Sequence, residues 1–281
     1  APLQRGSALV YHSPGRAELA SQVVDLLERQ HRLLAYYTDQ PFVVLPVVVV
    51  GAEEQLPRPF GFWVDIDRVT CWKLVTQETE LPLRQEGNFW ADVGRAWLYH
   101  GTLHECCHHG TCFQLGLMRY RWFCEGLSDY LGALAAVCYS GARDQAHVSQ
   151  WIEPVEQTLA QRATIDVLAD DVWWAPGGGR LGEPLELAAY AASQYCFARL
   201  VDAHGYGWIA RVLKRAQETP PADHDALIAM VEAETGETAL RAQLQAVSLR
   251  ETLAYLRQGL AEDRVDAKPD GEAAPTEPRG P

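Results

Sequence analysis

Two histidines and a glutamate stand together in the stretch His104-Glu105-Cys106-Cys107-His108, inside a run whose apolar spacing predicts a helix. Residues four apart on a helix share a face, so His104 and His108 can bind one Zn²⁺ at the ~2.0 to 2.1 Å that zinc requires. Glu105 lies one residue further round the helix. That position suits a carboxylate that takes a proton from a metal-activated water without binding the metal.

A second predicted helix, which contains Trp122 to Leu131, has Glu125 and Asp129 four residues apart on one face. Glu125 follows His108 by seventeen positions, which allows a turn and an antiparallel return past the first helix. Glu125 then completes a site of two histidines and one glutamate with an open position, as in catalytic zinc sites. Asp129 is expected to accept the second ring N–H of a ligand histidine, with His104 as the donor.

In order and spacing, these two motifs together resemble those of the gluzincin metallopeptidases, the group that contains thermolysin and the bacterial peptidase MA-like proteins. The resemblance spans about Phe42 to Leu213. It implies a zincin-like fold, a Zn²⁺ cofactor and a peptide or protein substrate. It also implies hydrolysis of the peptide bond by a metal-activated water, with Glu105 as the general base. The cysteines at the variable positions of the motif and the short connection between the motifs depart from the family pattern.

The resemblance also implies features outside the two motifs. An edge strand that binds extended substrate is expected near Val69 to Thr76. A downstream side chain is expected to stabilise the oxyanion, and Tyr190 is the first candidate for this catalytic role, with Tyr195 and His204 as alternatives. His100, one turn before His104 on the same face, could touch the site, but it is expected instead to be a partly buried histidine bonded to backbone or water.

Other interpretations stay open. A zinc site polarises any carbonyl, so the chain could be a zinc hydrolase or lyase that acts on a non-peptide substrate. It could also be a catalytically silent, metal-stabilised binding module, although a structural site needs no general base such as Glu105. Glu125 and Asp129 could instead form a solvated helix face together with Arg119 and Arg121. Adjacent cysteines on a helix diverge by about 100°, so Cys106, Cys107 and Cys112 are expected to pack in the core.

The elements that must position these residues predict an α+β chain: a small N-terminal mixed sheet with helices, a central motif helix and a mainly helical C-terminal lobe. Strands are predicted from runs rich in Val, Ile, Phe and Trp, and helices from apolar spacing. The predicted strands are Phe42 to Val50, Gly61 to Ile66 and Val69 to Thr76. The predicted helices are Ala17 to Tyr37, Phe89 to His109 with Gly110 as C-cap, Arg119 to Tyr139, Ala146 to Leu168, and four more up to about Leu260.

These elements are expected to form one zincin-like domain over residues 1–261. Its parts are a sheet lobe at about 1–87, motif helices at about 88–140 and a helical lobe at about 141–261. Residues 262–281 contain almost no large apolar side chains, so they cannot offset the entropy of ordering. That tail is predicted to be disordered.

Composition excludes several classes of partner. The net charge of −13 and the pI of about 5.1 argue against nucleic acid. The longest apolar run, Phe42 to Val50, is far shorter than the ~18 residues of a membrane span. Seven cysteines without a loop framework favour a reducing compartment, so a cytoplasmic location is expected, with export the alternative if a signal peptide was removed. The sequence gives no oligomeric state.

Overall fold

The computed structural model describes residues 2–6, 8–39, 46–51, 63–66, 69–77, 80–84, 95–140, 145–173 and 184–262. The predicted disordered tail lies outside these ranges, except for Glu262 at the end of the last helix. Among the described helices, none has both the length and the apolar character needed to cross a membrane.

A mixed sheet occupies the N-terminal part of the chain. Three strands, β2, β3 and β5, pair in parallel, and β1, β4 and β6 add antiparallel pairings. The parallel pair β2–β3 is connected through helix α1, which packs on β2. The α+β class with a mixed N-terminal sheet is therefore confirmed. The bounds are β1 Leu3–Arg5, β2 Ala8–His12, α1 Ala17–Thr38, β3 Pro46–Gly51, β4 Trp63–Ile66, β5 Val69–Gln77 and β6 Glu80–Arg84.

The segment Val69 to Thr76 forms a strand as predicted, but the prediction that it is an edge strand is wrong. This segment is β5, which pairs with β3 on one side and with β4 and then β6 on the other. A strand paired on both sides offers no backbone edge to an extended peptide. The prediction missed β1, β2 and β6. Pro82 and the charged ends of β6 give a weak strand signal. Within the described sheet, β4 and β6 form the outer edge beyond β5.

Helices make up most of the remaining described chain. The helix predicted over Ala146 to Leu168 ends at Leu159, and five helices stand where four were predicted after it. A short antiparallel ribbon pairs β7, Thr164–Ile165, with β8, Val247–Ser248, and so joins the segment after Leu159 to the segment before the last helix. The bounds are α2 Arg95–Glu105, α3 Arg121–Ser140, α4 Gln145–Leu159, α5 Pro184–His204, α6 Gly207–Glu218, α7 His224–Thr235, α8 Leu240–Gln245 and α9 Leu249–Glu262.

Helix α3 lies at the centre of the helical part and packs closely on α2 and α5. Two glycines make this approach possible. A Cβ on Gly126 would lie 2.8 Å from the carbonyl oxygen of Ser193 in α5. A Cβ on Gly132 would lie 2.8 Å from the carbonyl oxygen of His100 in α2. Both contacts are with backbone atoms, so the three helices can sit this close only where α3 lacks a side chain.

Replacing Gly126 or Gly132 with Ala should therefore destabilise the protein. Ala normally gains about 1 kcal/mol over Gly inside a helix, but overpacking a tight contact costs about 1–3 kcal/mol. We expect a net loss of unfolding free energy and a lower Tm, measured by denaturant and thermal unfolding in the presence of a chelator. Gly207→Ala is the matched control, because its Cβ would meet only the flexible end of Arg211. Unchanged or higher stability of Gly126→Ala would contradict the close packing of α3 on α5.

Candidate functional site

The His-Glu-x-x-His motif spans a change of helix type. His104 and Glu105 end α2, and the chain continues as a π-helical segment, Cys106–Cys112, that contains His108. The N–H of Phe113 bonds to the carbonyl of His108, five residues back, as a π-helix requires. The predicted end of the helix at Gly110 is therefore wrong, because the helix continues to Cys112. Such π segments within helices are frequent at functional sites.

Glu125, on α3, places its carboxylate between the two motif histidines. Its Oε1 lies 3.0 Å from His108 Nε2, and its Oε2 lies 3.7 Å from His104 Nε2. The two imidazole rings are nearly parallel, with centroids 5.6 Å apart. The structure therefore places the carboxylate of Glu125 next to both predicted histidine ligands, while their binding of a metal stays a prediction.

Asp129, one turn after Glu125, holds the other side of His104. Its Oδ1 lies 2.8 Å from His104 Nδ1, so the predicted contact between these two residues is present. The Asp129 carboxylate accepts the proton of Nδ1 and so orients the ring of His104, whose Nε2 faces Glu125.

His100 adds a second possible donor set. It is buried, its Nε2 lies 3.6 Å from Asp129 Oδ1, and ligand atoms of His100, His104 and Asp129 lie within 4.8 Å of one another. Its position next to this cluster was not expected from the sequence. The 2.8 Å between His104 Nδ1 and Asp129 Oδ1 is, however, a hydrogen-bond length, as expected for a carboxylate that supports a ligand histidine from its other ring nitrogen. We therefore interpret this set as a hydrogen-bonded support for the site formed by His104, His108 and Glu125.

Burial and charge together set the protonation of the site without an ion. Burial lowers the pKa of His104, but the adjacent Asp129 carboxylate outweighs it and raises the pKa to about 9. Burial also lowers the pKa of His108, but the carboxylate of Glu125 outweighs this effect, so that the pKa of His108 is raised. Burial would raise the pKa of Glu125, yet His108, Arg121 and His104 lower it to about 2. At neutral pH the metal-free site thus holds a protonated His104 beside an ionised Glu125.

Glu105 is buried next to both motif histidines. Burial raises the pKa of its carboxyl group, the two histidines lower it, and the carboxylates of Glu125 and Asp129 raise it again, so that the net shift is upward. A carboxylate with a raised pKa accepts a proton more readily at neutral pH than an exposed one. The environment of Glu105 therefore suits the predicted general base.

Of the three candidates for the oxyanion donor, Tyr190 is the one that the structure brings to the site. Its hydroxyl lies 3.4 Å from Glu125 Oε1 and accepts a hydrogen bond from Arg121 at 2.7 Å. Tyr195 instead donates to Glu251 of α9, and His204 contacts Glu237. The place of Tyr190 beside a predicted ligand is thus observed, and its role toward an oxyanion stays a prediction.

Arg121 is a site residue that the sequence analysis missed. Its Nη2 lies 2.8 Å from Glu125 Oε1, so Oε1 is shared by Arg121, His108 and the Tyr190 hydroxyl. The alternative of a solvated helix face is wrong, because Glu125 and Asp129 are only 3% and 1% exposed. The signal was present in the sequence as an arginine one helical turn before Glu125.

The cysteines of the motif region do not take part in this site. Cys106, Cys107 and Cys112 are buried in the hydrophobic core, as predicted. Burial raises the pKa of the Cys106 and Cys107 thiols, so both stay protonated at neutral pH.

Comparisons with known proteins add no family to this picture. Neither the models of known protein families nor the curated protein sequences gave a match to the chain. The likeness to gluzincins therefore rests on the two motifs, and a functional assignment has to be argued from the geometry of His104, His108, Glu125 and their neighbours.

Proposed function

We propose that the chain is a zincin-like, zinc-dependent metallopeptidase of the gluzincin type, in which His104, His108 and Glu125 hold Zn²⁺ and Glu105 is the general base. The observation that best supports this is the carboxylate of Glu125, with one oxygen toward Nε2 of each motif histidine. A donor set of two imidazole nitrogens and one carboxylate, with room for a further ligand, is typical of catalytic zinc.

The charges around this donor set also fit a divalent cation. Three carboxylates, those of Glu105, Glu125 and Asp129, are buried close together. Buried like charges are costly unless positive charge compensates them. Arg121 and the protonated His104 supply positive charge in the metal-free chain. A divalent ion held by the histidines and Glu125 would supply two positive charges at the centre.

The residues around the ion have separate roles in the proposed reaction. When bound, Zn²⁺ would lower the pKa of a water toward ~7 and polarise the scissile carbonyl. Glu105 accepts a proton from the attacking water and delivers it to the leaving amine. Asp129 keeps Nε2 of His104 toward the donor set, and Arg121 holds Oε1 of Glu125. Tyr190, beside that oxygen, is the candidate donor to the oxyanion.

Metal content tests the donor set directly. Purified wild-type protein should hold about one zinc per chain by elemental analysis after supply of Zn²⁺ and desalting. His104→Ala and Glu125→Ala should lose it, since each removes a ligand. His100→Ala is the matched control, one turn earlier on the same helix, and should keep the zinc. If His100→Ala lost the metal while Glu125→Ala kept it, the ion would belong to His100, His104 and Asp129 instead.

Zinc binding should release protons at neutral pH, because His104, with a pKa of about 9, must give up a proton first. Raising the pH from 6 to 9 removes this competition, so the apparent zinc affinity should increase over that range. Calorimetry in buffers of different ionisation enthalpy measures the released protons. Asp129→Asn should release fewer at pH 8, because the carboxylate that raises the His104 pKa is gone, and should bind zinc ~10- to 100-fold more weakly. Equal proton release in wild type and Asp129→Asn would contradict the assignment of Asp129.

Glu105→Gln separates catalysis from metal binding. The variant should keep its zinc and lose at least ~100-fold in kcat/KM on a peptide library, because the amide cannot accept the water's proton. Glu153→Gln, the same change at an exposed position on α4, should leave turnover unchanged. Full activity of Glu105→Gln would exclude the general-base role, and absence of peptide hydrolysis by zinc-loaded wild type would exclude the peptidase.

A further inference from the structure

Arg121 has hydrogen-bonding capacity that its observed contacts do not use. Every hydrogen bond seen for its guanidinium among the described residues is made by Nη2, which contacts Glu125 Oε1 and the Tyr190 hydroxyl. Its Nε is buried and has no hydrogen-bond partner in the described part of the chain. A guanidinium carries five N–H donors in a rigid plane, and the Arg121 side chain is 21% exposed. The Nη donors that make no contact among the described residues, and not the buried Nε, are therefore the part of this fork that is available to a ligand.

The plane of the guanidinium is also fixed in place. Arg121 Cζ lies 5.6 Å from the ring centroid of Trp173 and 5.9 Å from that of Tyr190. The indole of Trp173 is itself anchored, since its N–H donates to the carbonyl of Val167 at 2.9 Å. The two rings pack on each other with centroids 5.4 Å apart, and an arginine held against such a pair loses little conformational freedom when it binds a ligand. These contacts give Arg121 the properties of a preorganised anion-binding group.

The carboxylate that pairs with Arg121 is shared with other positive groups. Oε1 of Glu125 contacts both Arg121 and His108, and Glu186 adds a weaker electrostatic attraction to Arg121. If Glu125 binds Zn²⁺, as proposed above, its negative charge is shared with the ion as well. A carboxylate of the substrate would give Arg121 a second anionic partner that matches the guanidinium fork, which a neutral peptide carbonyl does not.

Arg121 lies close to where the scissile bond must sit. Its Nη2 contacts an oxygen of Glu125, which is a predicted ligand of the ion. A group bound by Arg121 is then within about one residue, ~3.5 Å of extended chain, of a carbonyl activated at the centre. When the last residue of a peptide is being removed, its terminal carboxylate lies at this distance from the scissile bond.

From these contacts we infer that Arg121 recognises the free C-terminal carboxylate of the substrate, which makes the chain a carboxypeptidase. The inference rests on the proposed function, since it takes the metal position as the point of cleavage. It specifies the substrate class that the motifs alone leave open. Arg121 has this role in addition to holding Oε1 of Glu125.

Binding to the zinc-loaded Glu105→Gln protein tests this without turnover. Three N-acetylated tripeptides serve as probes: Ala-Leu-Ala with a free carboxylate, its carboxamide, and Ala-Leu-Glu carboxamide, which has only a side-chain carboxylate. Calorimetry should show the free carboxylate binding about 10- to 100-fold tighter than its carboxamide, the range of a charged hydrogen bond. Equal binding of these two probes, or no binding of either, would overturn the inference. So would a preference for the glutamate peptide alone.

Arg121→Gln in the same background should abolish the preference, and Arg121→Lys, which keeps the charge but not the fork, should retain a fraction of it. Arg199→Gln is the matched control, since it removes one positive charge from an exposed position on α5 and should keep the full preference. Zinc content is measured for each variant, so that loss of the metal is not mistaken for loss of carboxylate binding. A preference that survives in zinc-loaded Arg121→Gln would also overturn the inference.

Turnover by zinc-loaded wild type distinguishes this inference from the proposed function. Cleavage of the free-acid peptide, with at least ~10-fold lower kcat/KM on the carboxamide, is the expected result. Equal cleavage of both peptides would overturn carboxylate recognition and leave the peptidase intact. Cleavage of neither peptide, nor of any member of the peptide library, would overturn the peptidase, and the binding measurements would still decide whether Arg121 recognises a carboxylate.

Discussion

The candidate site depends on one close contact between helices, the packing of α3 against α2 and α5. Gly132 lets the α3 backbone approach α2 at His100, and Gly126 lets it approach α5 at Ser193. Between these contacts, Glu125 and Asp129 face the motif histidines from a buried position. A larger residue at either glycine would move α3 outward by a fraction of an ångström or more, and the contacts of 2.8 and 3.0 Å to His104 and His108 would lengthen with it.

The packing of α3 on α2 also has an electrostatic cost, because it buries several carboxylates together. Burying Glu105, Glu125 and Asp129 near one another is unfavourable by itself, and the protein offsets this with raised histidine pKa values and with Arg121. The positive groups share carboxylates: Oε1 of Glu125, for example, contacts both His108 and Arg121. Such a cluster keeps its geometry only while every charge is balanced, which explains why so many polar groups are buried in one place.

Much of the site could be predicted from the sequence because helical spacing fixes it. His104, His108, Glu125 and Asp129 are each one turn apart on their own helix, and their contacts follow once the two helices lie side by side. The coarse fold was predictable for a similar reason, since α1 and strands β3, β4 and β5 carry strong apolar patterns. Strands β1 and β6 are short and polar, so their pairing with the sheet has no such pattern.

The features that escaped prediction arise from tertiary contacts. The π-helical segment after Glu105 depends on how Cys106–Cys112 packs in the core, and the apolar period of the sequence does not distinguish a π-helix from an α-helix. Arg121 looked like a surface charge until the fold placed it against Glu125 and the rings of Trp173 and Tyr190. The apolar period of α3 shows that Arg121 lies one turn before Glu125, but only the packing of α3 beside Trp173 shows that this arginine is partly enclosed next to the motif histidines.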